Sequence, residues 1–206
     1  MKVSITTGKR PELINLFLDG EEWKGGHLSI LGRRPQIEGN DQLECEEKLK
    51  ALEYKGARNF IIRRLAKRNY FSGELKTALS KRLVSTSTIT KVVNEFVEMG
   101  YLNDREWVES TVRCLQRQKY GAKAIGMKLR AKGVPEGLAN EAISSQCDKV
   151  SQRENIQRLL ATRYRSRKLT DPKEKQKVVA ALARKGYSFE EIFDELRKKV
   201  SLEDLD

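Results

Sequence analysis

Histidine occurs once in this chain, as His27, and proline only four times in 206 residues. A single imidazole in a glycine-rich stretch leaves Ser-His and Cys-His nucleophile systems, and histidine-based metal sites, without their parts. Cys45, Cys114 and Cys147 are odd in number, widely spaced and free of any CxxC pairing. They read as reduced structural thiols, not as a disulfide frame or a zinc site. No run of about 18 apolar residues is present and no signal-peptide core opens the chain, which predicts a soluble cytoplasmic protein with no membrane partner. Gly25-Gly26 and Gly121 lack the GK[ST] ending of a phosphate loop. Carboxylates such as Glu190 and Glu191 are interspersed with lysine and arginine at helical spacing, the pattern of a solvated helix surface. A protein without catalysis, cofactor or metal is expected.

Charge is what the chain does have. Hydrophobic residues make up 38% and charged residues 34%, a thin core spread under much surface, as in an elongated helical protein. The net charge is +12. Residues 1–50 carry 8 basic and 9 acidic groups, against 10 and 5 in 51–104, 9 and 5 in 105–150, and 14 and 10 in 151–206. The positive excess therefore avoids the N-terminus and follows the rest of the chain, which suits a long polyanion better than a small acidic substrate.

Val3 and Ile5 alternate with polar residues, Leu13–Leu18 is an apolar run, and Asp19-Gly20 tolerates the positive φ of a tight turn. Glu21–Lys24 would pair back, with Gly25-Gly26 ending the strand. This predicts a small N-terminal β-hairpin, peripheral to the fold, followed by a linker at Pro35–Asn40. A lead helix then starts near Asp41, with Leu43, Leu49 and Leu52 on its apolar face.

From Gly56 onward the chain repeats. Leu65-Ala66-Lys67-Arg68-Asn69-Tyr70 aligns with Leu115-Gln116-Arg117-Gln118-Lys119-Tyr120 and with Leu182-Ala183-Arg184-Lys185-Gly186-Tyr187, at offsets of 50 and 67 residues. The register continues through Leu75, Ile125 and Ile192, and through Leu79, Leu129 and Leu196. Each copy reads as three helices: 57–69, 73–83 and 86–99, then 104–119, 122–132 and 135–147. In the third copy the pair 172–186 and 189–200 is preceded by a helix at 151–168. Gly121 and Gly133 are expected as left-handed helix ends. Asp171-Pro172 with Glu174, and Ser188 with Glu191, are helix starts. The predicted fold is all-α: tandem three-helix-bundle repeats forming an elongated curved rod, with the small β-hairpin in front. Its divisions fall at 1–40, 41–104, 105–149 and 150–206.

Basic residues recur on the copies. Arg63, Arg64, Lys67 and Arg68 lie opposite Ile62 and Leu65. Arg113, Arg117, Lys119, Lys123 and Lys132 follow in copy two, and Arg163, Arg165, Arg167, Lys168, Arg184 and Lys185 in copy three. Arginine forks grip phosphate or carboxylate in two-point contacts, so DNA and an acidic protein surface are both candidate partners. Tyr70, Tyr120, Tyr164 and Tyr187 lie near these groups and are expected to close the core of each repeat. A competing pattern, Ser85-Thr86-Ser87-Thr88-Ile89 through Gly100-Tyr101-Leu102, reads like the recognition helix of a helix-turn-helix transcription regulator. Its exposed face (Thr86, Ser87, Thr90, Lys91, Asn94) is nearly uncharged, and Asn103–Val108 starts a helix where a wing would need strands.

Leu65-Ala66-Lys67-Arg68 with Glu74-Leu75, Gly100-Tyr101-Leu102-Asn103-Asp104 with Trp107, Tyr120-Gly121, Lys132-Gly133-Val134 and Leu182–Ser188 stand in an order that resembles RecX regulatory proteins. Leu16–Glu21 is similar to the hairpin of that family's longer members. The resemblance implies a monomeric regulator of the RecA recombinase, an inhibitor in DNA repair and the SOS response. It would lie in the groove of the RecA filament on single-stranded DNA. The fifteen basic residues named above would carry recombinase and DNA contact. Phe71 stands where the family has serine, with Ser72 one place later, and Trp107 replaces a phenylalanine.

Overall fold

The structure, a computed structural model, describes the backbone of residues 2–203 and the side chains of residues 2–199. Ten helices follow a short sheet among these residues. The chain divides into two compact units, 1–104 and 105–206.

In the first unit β1 (Val3–Thr7), β2 (Leu13–Leu18) and β3 (Glu21–His27) form one antiparallel sheet in the order β1-β2-β3. The expected hairpin is thus a three-stranded sheet. Asp19 (φ 49°) and Gly20 (φ 93°) make the predicted tight turn. Gly25-Gly26 does not end its strand. A Cβ on Gly26 would lie 2.5 Å from the Leu31 side chain, so the missing side chain lets a neighbour close on the sheet. His27 then caps a short helix, α1 (Leu28–Leu31), accepting from the Ser29 amide at 3.1 Å.

Asp41 starts α2 (Gln42–Leu65) as predicted, accepting from the Glu44 amide at 2.8 Å. The helix runs unbroken through Gly56, so the lead helix and the first helix of copy one are a single element. Gly56 is there for packing: a Cβ would stand 2.0 Å from the Ile30 carbonyl oxygen. Cys45, Leu49, Glu53, Ala57 and Ile61 form the buried stripe. That phase leaves Leu43 and Ile62, both expected on an apolar face, 65% and 43% exposed. Buried Glu53 accepts from the Ser85 hydroxyl at 2.8 Å, fastening the start of α4 (Thr86–Glu98) to α2. Glu95 ties α4 back to α2 by accepting from Arg58 at 2.9 Å and from the Tyr54 hydroxyl. These two hydrogen bonds hold the Glu95 carboxyl below its ordinary value. Between these helices lies α3 (Ser72–Ser80); Phe71 is buried before it, and the Ser72 amide donates to Asp104 at 2.7 Å. The capping carboxylate is thus supplied by a residue 32 positions on.

The sheet is not peripheral. Leu16, Ile14 and Val3 share one core with Ile61, Leu75, Leu79 and Phe96.

The second unit takes in the rest of α5 (Asp104–Arg117), then α6 (Ala122–Ala131), α7 (Glu136–Gln146), α8 (Lys149–Ala161), α9 (Pro172–Arg184) and α10 (Phe189–Glu203). The repeat register is visible as burial: Leu75, Ile125 and Ile192 are fully buried, as are Leu79, Leu129 and Leu196. Helix α8 completes the third bundle, packing Ile156 and Leu160 against Val178, Leu182 and Ile192. It stops at Ala161, short of the expected 168, because Leu169 turns inward to the same core and draws residues 162–171 into a loop. Asp171 and Ser188 start their helices as expected, accepting from the Lys173 amide at 3.0 Å and the Glu191 amide at 3.2 Å.

Gly133 takes the left-handed conformation (φ 79°), but Gly121 does not. Lys119 turns left-handed in its place (φ 61°). Gly121 is instead pressed against the third copy: its amide donates to the Lys185 carbonyl at 2.8 Å, and a Cβ would lie 2.5 Å from the Gly186 carbonyl.

Two outcomes follow for stability. Gly121→Ala forces backbones apart and should cost about 1–3 kcal/mol in urea unfolding. Gly133→Ala meets nothing within 4 Å and should cost only the dihedral penalty of about 1–2 kcal/mol. Equal costs would mean that the two copies do not depend on the close approach. A truncation starting at Asp41 should melt lower than the full chain and bind a hydrophobic dye, since it uncovers the side of the core that Leu16 and Ile30 close. An unchanged melting curve would return the sheet to the periphery.

Candidate nucleic-acid interface

In the first unit two of the four predicted cations, Arg64 and Arg68, gather on two rings. Arg64 lies over Phe60 (5.1 Å to the ring centre) and over Tyr70 (5.6 Å), and its guanidinium donates to the Tyr70 hydroxyl at 3.3 Å. Arg68 lies over the same Tyr70 ring at 3.7 Å and reaches Glu74 at 3.4 Å. The Arg64 hydrogen bond pulls the Tyr70 hydroxyl below its usual pKa. Arg82, not singled out from the sequence, lies over Phe60 at 4.4 Å; burial and the charge of Arg64 lower its pKa. Cations held on aromatic faces gain about 0.5–1 kcal/mol each at exposed sites and keep their position. Arg63 and Lys67 are exposed and without an ion pair among the described residues.

The second unit repeats the device with different chain segments. Tyr120, one repeat on from Tyr70, carries Lys128 at 4.4 Å and Lys185 at 4.8 Å. Lys185 also donates to the Gln118 carbonyl at 3.2 Å. Lys132 lies over Trp107 at 5.4 Å. Arg113 lies 3.9 Å from Glu109, while Arg117, Lys123 and Arg184 are exposed with no ion pair among the described residues. Lys119 points elsewhere: it donates to the buried Asn155 side chain at 2.7 Å, and its carbonyl accepts from the Tyr187 hydroxyl at 3.0 Å. Lys119 is therefore a joint between copies two and three. Tyr187 is buried at that joint, and its pKa is raised by burial.

Arg163, Arg165, Arg167 and Lys168 sit on the loop after α8, not on a helix. All four are exposed, and Arg167 is bound by Glu174 at 2.6 Å. The loop presents three unpaired cations among the described residues.

These surfaces belong to a chain with clear relatives. Residues 103–143 match the family model of the RecX second three-helix domain, and residues 151–196 that of the third. The regulatory protein RecX of Mycobacterium sp. (strain JLS) is 30% identical over 140 residues, covering 64% of this chain and 75% of the relative. The chain belongs to the RecX family. RecX of Bacillus subtilis (strain 168) is 27% identical over 190 residues, 91% of this chain and 72% of that protein. A crystal structure of regulatory protein RecX has the same fold, with a TM-score of 0.64 at 20% identity over 96% of this chain and 98% of the other. That of RecX from Lactobacillus salivarius gives 0.64 at 23% over 74% and 99%. Among the described residues no helix is long and apolar enough to cross a membrane.

Lys119→Met removes the partner of a buried amide oxygen and should destabilise by about 1–3 kcal/mol in chemical unfolding. Arg117→Ser, two positions earlier and exposed, should change stability by less than about 0.5 kcal/mol. If both are silent in unfolding, Lys119 belongs with the surface cations.

Proposed function

We propose that this RecX-family chain regulates a RecA recombinase by binding the RecA filament on single-stranded DNA, as a monomer and without turnover, and that binding restrains the filament. Family membership supports the partner. The observation that carries the mode of binding is recurrence: repeat-equivalent tyrosines, Tyr70 and Tyr120, each hold two cations, on different units of the chain. A partner that is itself a long anionic repeat offers an equivalent group to each such station. Contacts are then spread over the divisions at 41–104, 105–149 and 150–206, with phosphate and acidic protein groups as their targets.

The helix-turn-helix reading places contact on Thr86, Ser87, Thr90, Lys91 and Asn94 of α4. Helix α5 begins at Asp104, two residues after Leu102, in the stretch where a wing would have to form. Thr90 donates to its own helix at Thr86.

Pull-down on RecA filaments across a salt series tests the proposal. Charge reversal of Arg63, Arg64, Lys67 and Arg68, or of Arg163, Arg165, Arg167 and Lys168, should weaken filament binding about tenfold or more, a loss of about 1.4 kcal/mol or more. Alanine at Thr86, Thr90 and Asn94 should leave it unchanged. Sequence-selective duplex binding that the alanine set abolishes, with no filament binding by the unaltered chain, would reverse the conclusion in favour of a transcription regulator.

A further inference from the structure

The first unit contains a groove that none of the sequence motifs announced. It lies between α1 with its end at Gly32 and one stripe of α2, and holds about 440 Å³. Lys55, Asn59 and Arg63 fall four residues apart along α2 and line one wall, with Leu52 and Phe60 as the apolar floor. Among the described residues no carboxylate lines it. A second depression shares Leu28 with it and brings in Arg33 and Arg34, again with no carboxylate. Phe60, in the floor, is the ring over which both Arg64 and Arg82 lie. Arg82 donates to the Ala78 carbonyl at 2.8 Å, while its Nε is buried with no hydrogen-bond partner among the described residues. Cations therefore border both depressions with no carboxylate among the described lining residues, so an anion entering the groove meets positive charge alone.

We infer that this groove is a single-strand polynucleotide site of the N-terminal half. Phosphates meet Lys55 and Arg63, the base lies against Leu52 and Phe60, and Arg82 is a positioning residue that fixes Phe60. The volume is that of a small-ligand pocket, about 300–1,000 Å³, so it admits a nucleotide of a single strand and not a duplex. A charged wall beside an apolar, aromatic floor is the combination that holds single strands without regard to sequence. Because α1 and Gly32 form the opposite wall, the sheet that carries α1 builds the site. The inference rests on the reading above that the chain works on single-stranded DNA.

The test uses the full chain and a labelled oligo(dT), with no recombinase present, followed by fluorescence anisotropy across a salt series. Lys55 and Arg63 are exposed, so Lys55→Glu with Arg63→Glu leaves the core untouched. The double variant should lose at least about tenfold in affinity, and the slope of log K against log salt should fall by about 1.4, two phosphate contacts at about 0.7 each. Lys173→Glu with Lys175→Glu on α9 makes the same change in net charge and should keep the slope. Equal losses in the two pairs, unchanged binding in the groove pair, or no oligonucleotide binding by the unaltered chain would each overturn the inference. So would equal competition by a duplex of the same length. A filament pull-down run in parallel separates the two ideas. Groove-dependent oligonucleotide binding with no filament capture supports the groove and removes the recombinase reading. Loss of filament capture with oligonucleotide binding intact makes the groove a protein contact and overturns the inference.

Discussion

Two stretches of backbone can touch only where no side chain stands between them, and each half of this chain is assembled around such a contact. In the first unit Gly56 lets the Ile30 carbonyl rest on α2, which brings the sheet module onto the helices. In the second, Gly121 lies against Gly186, so that the third copy is hydrogen bonded to the second through the Gly121 and Lys123 amides. Gly56 is helical and Gly121 has an ordinary negative φ, so at these two positions glycine is required for space, not for backbone freedom; Gly186 is left-handed (φ 92°) as well as close-packed. Neighbouring three-helix units of about 50 residues close little core alone, so these approaches supply the burial that single repeats lack.

The same contact decides what the repeat tyrosines do. Where Gly186 meets Gly121, Tyr187 is drawn into the joint and its hydroxyl donates to Lys119. Lys119 is turned left-handed and its ammonium is directed at Asn155. Tyr120 lies beside that joint and stays half-buried, with room for Lys128 and Lys185 on its ring. Tyr70 is buried yet collects Arg64 and Arg68. One sequence motif thus yields two cation-bearing stations and one structural tie.

Repetition was legible because it reports on the interior: Leu75, Ile125 and Ile192 face the same kind of core and cannot vary freely. Caps were legible at Asp41, Asp171 and Ser188 because their partners lie within three residues. Signals read as local breaks misled where a distant element overruled them. Gly25-Gly26 looked like the end of a strand, and Gly26 is where Leu31 presses in; Gly56, read as the start of the repeats, lies inside α2 where Ile30 presses in. The helix at 151–168 stops early because Leu169 belongs to a core closed by α9 and α10. Of the candidate site, the residues Arg64, Arg68, Lys132 and Lys185 were legible as charges but not as ring-bound charges. Arg82 and Phe60 were invisible as a pair because 22 positions separate them, and helix phase, set from Cys45 onward, decides that they meet.

The distinction between ring-bound and free cations bears on how a regulator of this kind binds. A lysine or arginine side chain carries about 2 kcal/mol of rotamer entropy, most of which is forfeited when it is fixed on a partner. Arg64, Arg68 and Arg82 are already fixed by Phe60 and Tyr70, so less is lost when they meet an anion. The loop cations Arg163, Arg165 and Lys168 have no such support and lose that freedom on contact. On the partner proposed above, equal charge on the two surfaces would therefore be unequal in effect: the stacked arginines would favour residence, whereas the loop cations would chiefly raise the rate of encounter. Both kinds occur on each unit: Arg63 and Lys67 are free beside the stacked arginines, and Lys128 and Lys185 share the Tyr120 ring on the unit that carries the loop cations, so either unit offers an anionic partner both fixed and free charge.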